Sequence, residues 1–144
     1  ATVSFVPMPE EVVVSGIRFT SFPLHHPQGA IGFRIDGPER SIAIVTDHEA
    51  GTPVDEEIAK CVDGVDVLIH DAQYIPVERE EHLGWGHSTC LDAMNLAKQV
   101  GAGQLVLTSH DPGRTDAQID AIIADMAPEF PATIAAEQGL RIDL

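Results

Sequence analysis

A chain of 144 residues, 44% of them hydrophobic, is long enough for one domain with a substantial core. Its 8 basic and 23 acidic residues give a formal net charge of −15, a field that repels nucleic acid phosphates and argues against a nucleic acid partner. No apolar run reaches membrane-span length and Cys61 and Cys90 lack CxxC spacing, so no membrane partner and no disulfide framework is expected, and the expected setting is the cytoplasm.

The chain opens at Ala1 instead of methionine, which points to processing or truncation. Val12 to Val14, Ile17 to Phe22 and Ile31 to Ile35 read as strands, with a turn at Asp36-Gly37-Pro38-Glu39. Ser41 to Thr46 is almost wholly apolar, as expected of a strand covered on both faces. Thr52-Pro53 reads as an N-cap and first helical residue, opening a helix through Ile58 and Cys61. Val65 to Ile69 is a further buried strand, and a polar loop from Asp71 to Gly86 follows it. Ser88 or Thr89 starts a second helix with Cys90, Ala93, Ala97 and Val100 at helical spacing, ended by Gly101 and Gly103. Gln104 to Thr108 is the next strand. Thr115 and Gln118 fit a capping box, and Ile119, Ile122, Ile123 and Met126 form one apolar helix face, closed by Pro128 and Pro131. Thr133 to Ala135 and Leu140 to Ile142 read as short terminal strands. With no repeat or linker, the pattern is one α/β unit with helices laid on a sheet.

Chemistry-bearing residues gather where these strands end, the usual place for functional groups in an α/β layer. Asp47 follows one apolar strand and His110 another; a short aspartate can bridge two cations, and imidazole is a standard zinc ligand. Each also has an ordinary use, Asp47 as a turn or capping residue and His110 as a loop histidine. His25 and His26 are adjacent on an extended segment and point oppositely, so one of the two faces any given site. His87, inside Gly84-Trp85-Gly86-His87-Ser88-Thr89, is the most specific signal. It precedes a helix N-terminus, where it can bond a phosphoryl oxygen or give a proton to a leaving group. Trp85, Ser88 and Thr89 around it are substrate-contact candidates, and Asp71 is placed to orient His87. His48, Glu49, His70 and His82 have no distinguishing spacing and are assigned to packing or to solvent.

These runs resemble the metallo-β-lactamase superfamily, in its ribonuclease Z and cyclic-nucleotide phosphodiesterase branch. The resemblance rests on Leu24 to Arg34, Val45-Thr46-Asp47-His48-Glu49, Ile69 to Tyr74, Gly84 to Thr89 and Ser109-His110-Asp111-Pro112. It covers about Ile17 to Asp116, with five motifs in family order. It implies that His26, directly before proline, and His110 are metal ligands, that Asp47 bridges two metals, and that His87 is a phosphate-contacting proton donor paired with Asp71. The family's His-X-His-X-Asp-His motif is absent from these 144 residues, and Gln28 stands where glycine is frequent. The implied fold is half of an αββα metallo-β-lactamase sandwich, a mixed sheet with helices on one face. Residues 1–144 correspond to its C-terminal half, and the N-terminal half lies outside this chain.

The same resemblance implies two divalent metal ions, zinc fitting the nitrogen ligands best and manganese or iron being alternatives. It implies a hydrolase that uses metal-activated water and is incompetent without its other half. Between His26 and Asp47, where ribonuclease Z carries its transfer-RNA arm, there is room only for two strands and a tight turn. With the acidic charge, this sets the expectation of a small phosphodiester of cyclic-nucleotide type and no nucleic acid partner. The apolar strand from Ile42 to Val45, needing cover on its second face, sets that of the N-terminal half or homo-oligomer assembly. A hydrolase of a thioester, lactone or sulfate ester, or a non-catalytic scaffold, would keep the same fold.

Overall fold

Four strands, Glu11–Val14 (β1), Ile17–Leu24 (β2), Ala30–Asp36 (β3) and Ser41–Val45 (β4), run antiparallel in a computed structural model, which describes residues 9–142. β2 runs two residues past its expected end, to Leu24. β1 pairs only as far as Thr20, so Pro23 lies where β2 has become an edge and its missing N–H costs no ladder bond. Val67–Asp71 (β5), Gln104–Thr108 (β6) and Thr133–Ala135 (β7) then add in parallel. The seven strands lie side by side in sequence order, β1 to β7.

That order decides where the helices go. Each parallel step needs a crossover, and right-handed crossovers that always advance in one direction lay their helices on one face. The helices are Asp55–Cys61 (α1), Cys90–Gln99 (α2) and Asp116–Met126 (α3). They cover a core that includes Phe22, Leu24, Ala43, Val45, Leu68, Leu105 and Leu107. Gly32 sits opposite Phe22, and a Cβ there would meet the Phe22 ring at 2.4 Å, so glycine lets that ring lie across the sheet. Side chains alternate along a strand, so Phe33, Ile35, Ile42, Ile44, Ile69 and Ile134 point to the other face. They are half-buried and form a continuous apolar stripe with Val67 and Val106.

Local chemistry explains the remaining differences from the expected elements. Thr89 caps α2 in a box with Asp92, and Thr115 caps α3 in a box with Gln118. α1 starts at Asp55 instead of after Thr52. The Asp55 carboxylate folds back onto the amides of Gly51 and Thr52 and the Thr52 hydroxyl, holding residues 51–54 as a turn. The expected loop after β5 contains a 3₁₀ helix, Pro76–His82, held at its start by the Glu78 carboxylate on the Ile75 amide. Leu140 to Ile142 is not a strand; the Leu140 amide closes a turn on Glu137. Among the described residues no helix is long and apolar enough to cross a membrane.

Under the helix face lie His48 and His70, 2% and 1% exposed, with ring centres 6.1 Å apart. His48 Nδ1 accepts the His25 amide at 3.2 Å, and His70 Nδ1 donates to the Asp71 carbonyl at 2.7 Å. Burial lowers both imidazoles below the ordinary histidine range. The unfolded chain therefore binds protons that the native state refuses, in the window from about pH 6.5 down to the lowered native values. Stability is full above that window and falls within it as the pH falls, by up to about 1.4 kcal/mol per pH unit for each ring. Thermal melting from about pH 8 to pH 5 checks this, and His70→Asn should shallow the slope; a melting temperature that stays level to pH 5 would be the contrary result.

Candidate active site

β4, β5 and β6 are parallel neighbours and end at one edge of the sheet, so the segments leaving them meet there. Asp47 and Ser109, just past β4 and β6, both take left-handed backbone angles, φ 59° and 56°. Such turns are uncommon outside glycine and break each strand sharply. Asp71, the last residue of β5, is fully buried between them.

The Asp71 carboxylate organises the site. Oδ2 accepts the Asp47 amide at 3.1 Å and His87 Nδ1 at 2.5 Å. Oδ1 accepts the amides of Gln73 and Ser88, each at 3.2 Å. Burial pushes this carboxyl up, against the pull of the His87 and Gln73 hydrogen bonds. Ligand atoms of Asp47, Asp71 and His87 lie within 4.8 Å of one another, close enough for one ion. Hydrogen bonding argues for a different use. A carboxylate has about four acceptor sites, and four donors already fill those of Asp71. His87 Nδ1 is likewise engaged, which leaves its Nε2 as the reactive nitrogen.

Asp47 differs from Asp71. Its side chain is 55% exposed, its carboxylate accepts no hydrogen bond among the described residues, and its Oδ1 stands 4.0 Å from His87 Nδ1. Of the two adjacent histidines, His26 turns inward, its ring centre 5.6 Å from that of His87, while His25 is exposed. Gly86, at φ +88°, permits this approach, because a Cβ there would meet the His26 ring at 2.2 Å. His26 Nδ1 accepts the Gln28 amide at 3.2 Å, so an ion taken at Nδ1 has to displace that bond. His110 follows β6, and both its ring nitrogens are buried without a hydrogen-bond partner. Burial and the nearby Arg114 lower its basicity, and the Leu107 carbonyl acts on it without hydrogen-bond geometry. An orphaned buried imidazole suits a cation. No hydrogen bond or ring contact joins His110 to the other four residues among those described.

The anion site expected at the α2 N-terminus is closed internally. Ser88, Thr89 and Cys90 amides go to Asp71, Asp92 and the Tyr74 carbonyl. The Ser88 hydroxyl donates to the His48 carbonyl and the Thr89 hydroxyl to Asp92, and both residues are buried. Of the three substrate-contact candidates, Trp85 alone is open to solvent, at 59%.

Glu49 carried no sequence signal, yet it fastens the His87 loop. Its two carboxylate oxygens accept the amides of Gly84 and Gly86, each at 2.9 Å. Burial raises this carboxyl, but those two amides bring it below the ordinary range. Only the fold reveals this pairing across 35 and 37 residues.

Residues 2–110 match the family model described as the β-lactamase superfamily domain. Ribonuclease Z of Brevibacillus brevis is 36% identical over 104 residues, covering 69% of this chain and 31% of the relative. Ribonuclease Z of a Synechococcus strain is 32% identical over 123 residues, 78% of this chain and 37% of the relative. Among solved structures, the short form of human tRNase Z superposes with a TM-score of 0.72 at 22% identity, over 93% of this chain and 47% of that one. The metallo-β-lactamase fold protein YhfI of Bacillus subtilis gives 0.74 at 18% identity, over 96% and 52%. The chain thus spans about a third of the relatives it matches and about half of these structures.

These relatives overturn the expectation of a small phosphoester and no nucleic acid, for they are named as ribonucleases. The net charge misled because it is a property of the whole chain. Many carboxylates sit on helices, such as Asp55, Glu56 and Glu57 at the start of α1 and Asp116 at the start of α3. The potential at the strand ends depends on the few groups there and on any cation they hold. The short interval from His26 to Asp47 does not decide which bond is cut.

Proposed function

This chain belongs to the β-lactamase superfamily, in its ribonuclease Z-like branch, and on that footing we propose that it forms the proton-donating side of a metal-dependent hydrolase of RNA phosphodiesters. The observation that carries the reading is the His87–Asp71 pair, 2.5 Å apart beside the unengaged Asp47 carboxylate. Asp47, His26 and His110 would hold divalent metal, two ions in the full site, with zinc suited to the imidazoles. Bound metal would polarise the phosphoryl oxygen and supply an activated water.

The chain's own groups do the rest. Asp71 accepts from His87 Nδ1–H and orients the ring, so that in its imidazolium form the Nε2–H would pass its proton to the oxygen of the departing nucleotide. Glu49 keeps the loop in place through Gly84 and Gly86. Ser88 and Thr89 fasten the His87 loop to the segment after β4 and to α2. Incubating the intact, zinc-loaded protein with RNA and with bis(p-nitrophenyl) phosphate tests the reading. Cleavage of both, abolished by chelation, is expected; cleavage of neither, or of a thioester or sulfate ester instead, would refute it.

The proposal includes a second half. The apolar stripe through Ile44, Ile69 and Val106 would pack on another sheet, from an N-terminal half carrying the remaining ligands or from another copy of this chain. Three ligands shared by two ions leave each under-coordinated. The 144-residue chain alone is therefore expected to associate in sedimentation, to hold metal weakly, and to lack phosphodiesterase activity. A compact, active monomer of these residues would overturn this part of the proposal.

A further inference from the structure

Three rings lie in a row beside His87. Its ring meets Tyr74 edge-on at 6.3 Å, Tyr74 stacks on His82 at 4.1 Å and 20°, and His82 meets Trp85 at 4.9 Å and 82°. The row begins buried, with Tyr74 at 3% exposure, and ends in the open at Trp85, the chain's one tryptophan. Trp85 is 59% exposed, and among the described residues its one ring contact is the edge contact with His82, which leaves a face of the indole bare.

The ring is also held firmly. Trp85 lies between two glycines whose amides are both bound by Glu49, and its own amide bonds the His82 carbonyl at 3.2 Å. His82 is fixed by its Nδ1, which donates to the Glu78 carbonyl at 2.8 Å. A large exposed aromatic ring on a loop pinned at three amides is a preorganised surface, since little freedom remains to be lost when a flat ligand covers it. Nucleobases are flat ligands of this kind, and they stack on aromatic rings whatever their sequence.

We propose that the bare face of Trp85, backed by His82 and Tyr74, is a base-stacking subsite for a nucleotide flanking the phosphodiester at His87. This rests on the RNA reading above and adds to it a contact with the base. The stack selects for unpaired RNA, whose bases are free to splay onto the ring, and it is indifferent to base identity.

The test is binding of a short oligoadenylate and of its abasic counterpart, equal in length and charge, to the intact protein and to Trp85→Ala and Trp85→Phe. Trp85→Ala should weaken the base-bearing ligand by about 5- to 150-fold, Trp85→Phe should recover most of that loss, and the abasic ligand should bind all three alike. Equal losses for both ligands, or no loss for either, as when Trp85 packs against another part of the protein, would overturn the proposal. Hydrolysis of bis(p-nitrophenyl) phosphate by the unaltered protein is scored separately. Its absence refutes the hydrolase reading, whereas the stacking subsite stands or falls on the base-bearing against abasic difference.

Discussion

Replacing His87 by alanine should lower turnover on an unactivated phosphodiester by about 10²–10⁴-fold and leave bound metal nearly unchanged, the range expected for a positioned general acid. The reason is the arrangement of its two nitrogens. Nδ1 is bonded to a carboxylate that already has four donors, so neither that nitrogen nor the carboxylate is free for an ion. Nε2 is the one ring nitrogen left, assigned to the leaving oxygen and tested by the metal content. The deficit should shrink for nitrophenyl esters, whose leaving group departs without a proton. Asp47→Ala removes a carboxylate with no competing hydrogen bond among the described residues and should lose metal and turnover together. Elemental analysis beside turnover on activated and unactivated substrates decides the matter. Equal impairment on both, or metal loss in His87→Ala, would show that His87 is a ligand.

Asp71→Ala should cost about 3–5 kcal/mol of stability besides removing the acceptor that orients His87 Nδ1–H. Three backbone amides, of Asp47, Gln73 and Ser88, would lose their acceptor in a site where Asp71 is fully buried. Each stranded donor costs on the order of 1–3 kcal/mol, and partial relaxation keeps the sum near the lower end. For a chain of 144 residues this is a drop of roughly 10–20 °C in Tm. Asp71→Asn keeps an acceptor oxygen for Gln73 and Ser88 but turns an NH₂ toward His87 or the Asp47 amide, so it should recover part of the stability and little of the turnover. Calorimetry of the three proteins, with kinetics alongside, makes the comparison. An Asp71→Ala protein that melts within a few degrees of the parent would show that the carboxylate is not the organiser described here.

The elements legible in the sequence were those whose cause is local. The helix start at Ser88 or Thr89, the capping box at Thr115, the spacing of Cys90, Ala93 and Ala97, and the apolar run of β4 each depend on neighbours within a few positions. Where two local causes competed, the reading slipped. The Asp55 carboxylate drew in the Thr52 hydroxyl that would have capped the helix, together with the Gly51 and Thr52 amides, and α1 starts later. The Asp71–His87 pairing was also readable, since a residue at a strand end and a histidine before the next helix fall at one edge of an α/β sheet. Local pattern could not choose between His25 and His26, which only the resemblance separated, because the approach of His26 to His87 needs the absent Cβ of Gly86, some sixty positions away.

By itself, then, the sequence determined the alternation of strands and helices, the family, and which side chains could do chemistry at the strand ends, because these follow from periodicity, capping and motif. Tertiary structure alone decided how those side chains are used. It filled the acceptors of Asp71, left those of Asp47 free, closed the α2 N-terminus with Asp71 and Asp92, and set Glu49 on the amides that present Trp85 and His87. A hydrogen-bonding group is available or consumed according to what stands within about 3 Å of it, and for these residues the neighbours come from remote parts of the chain.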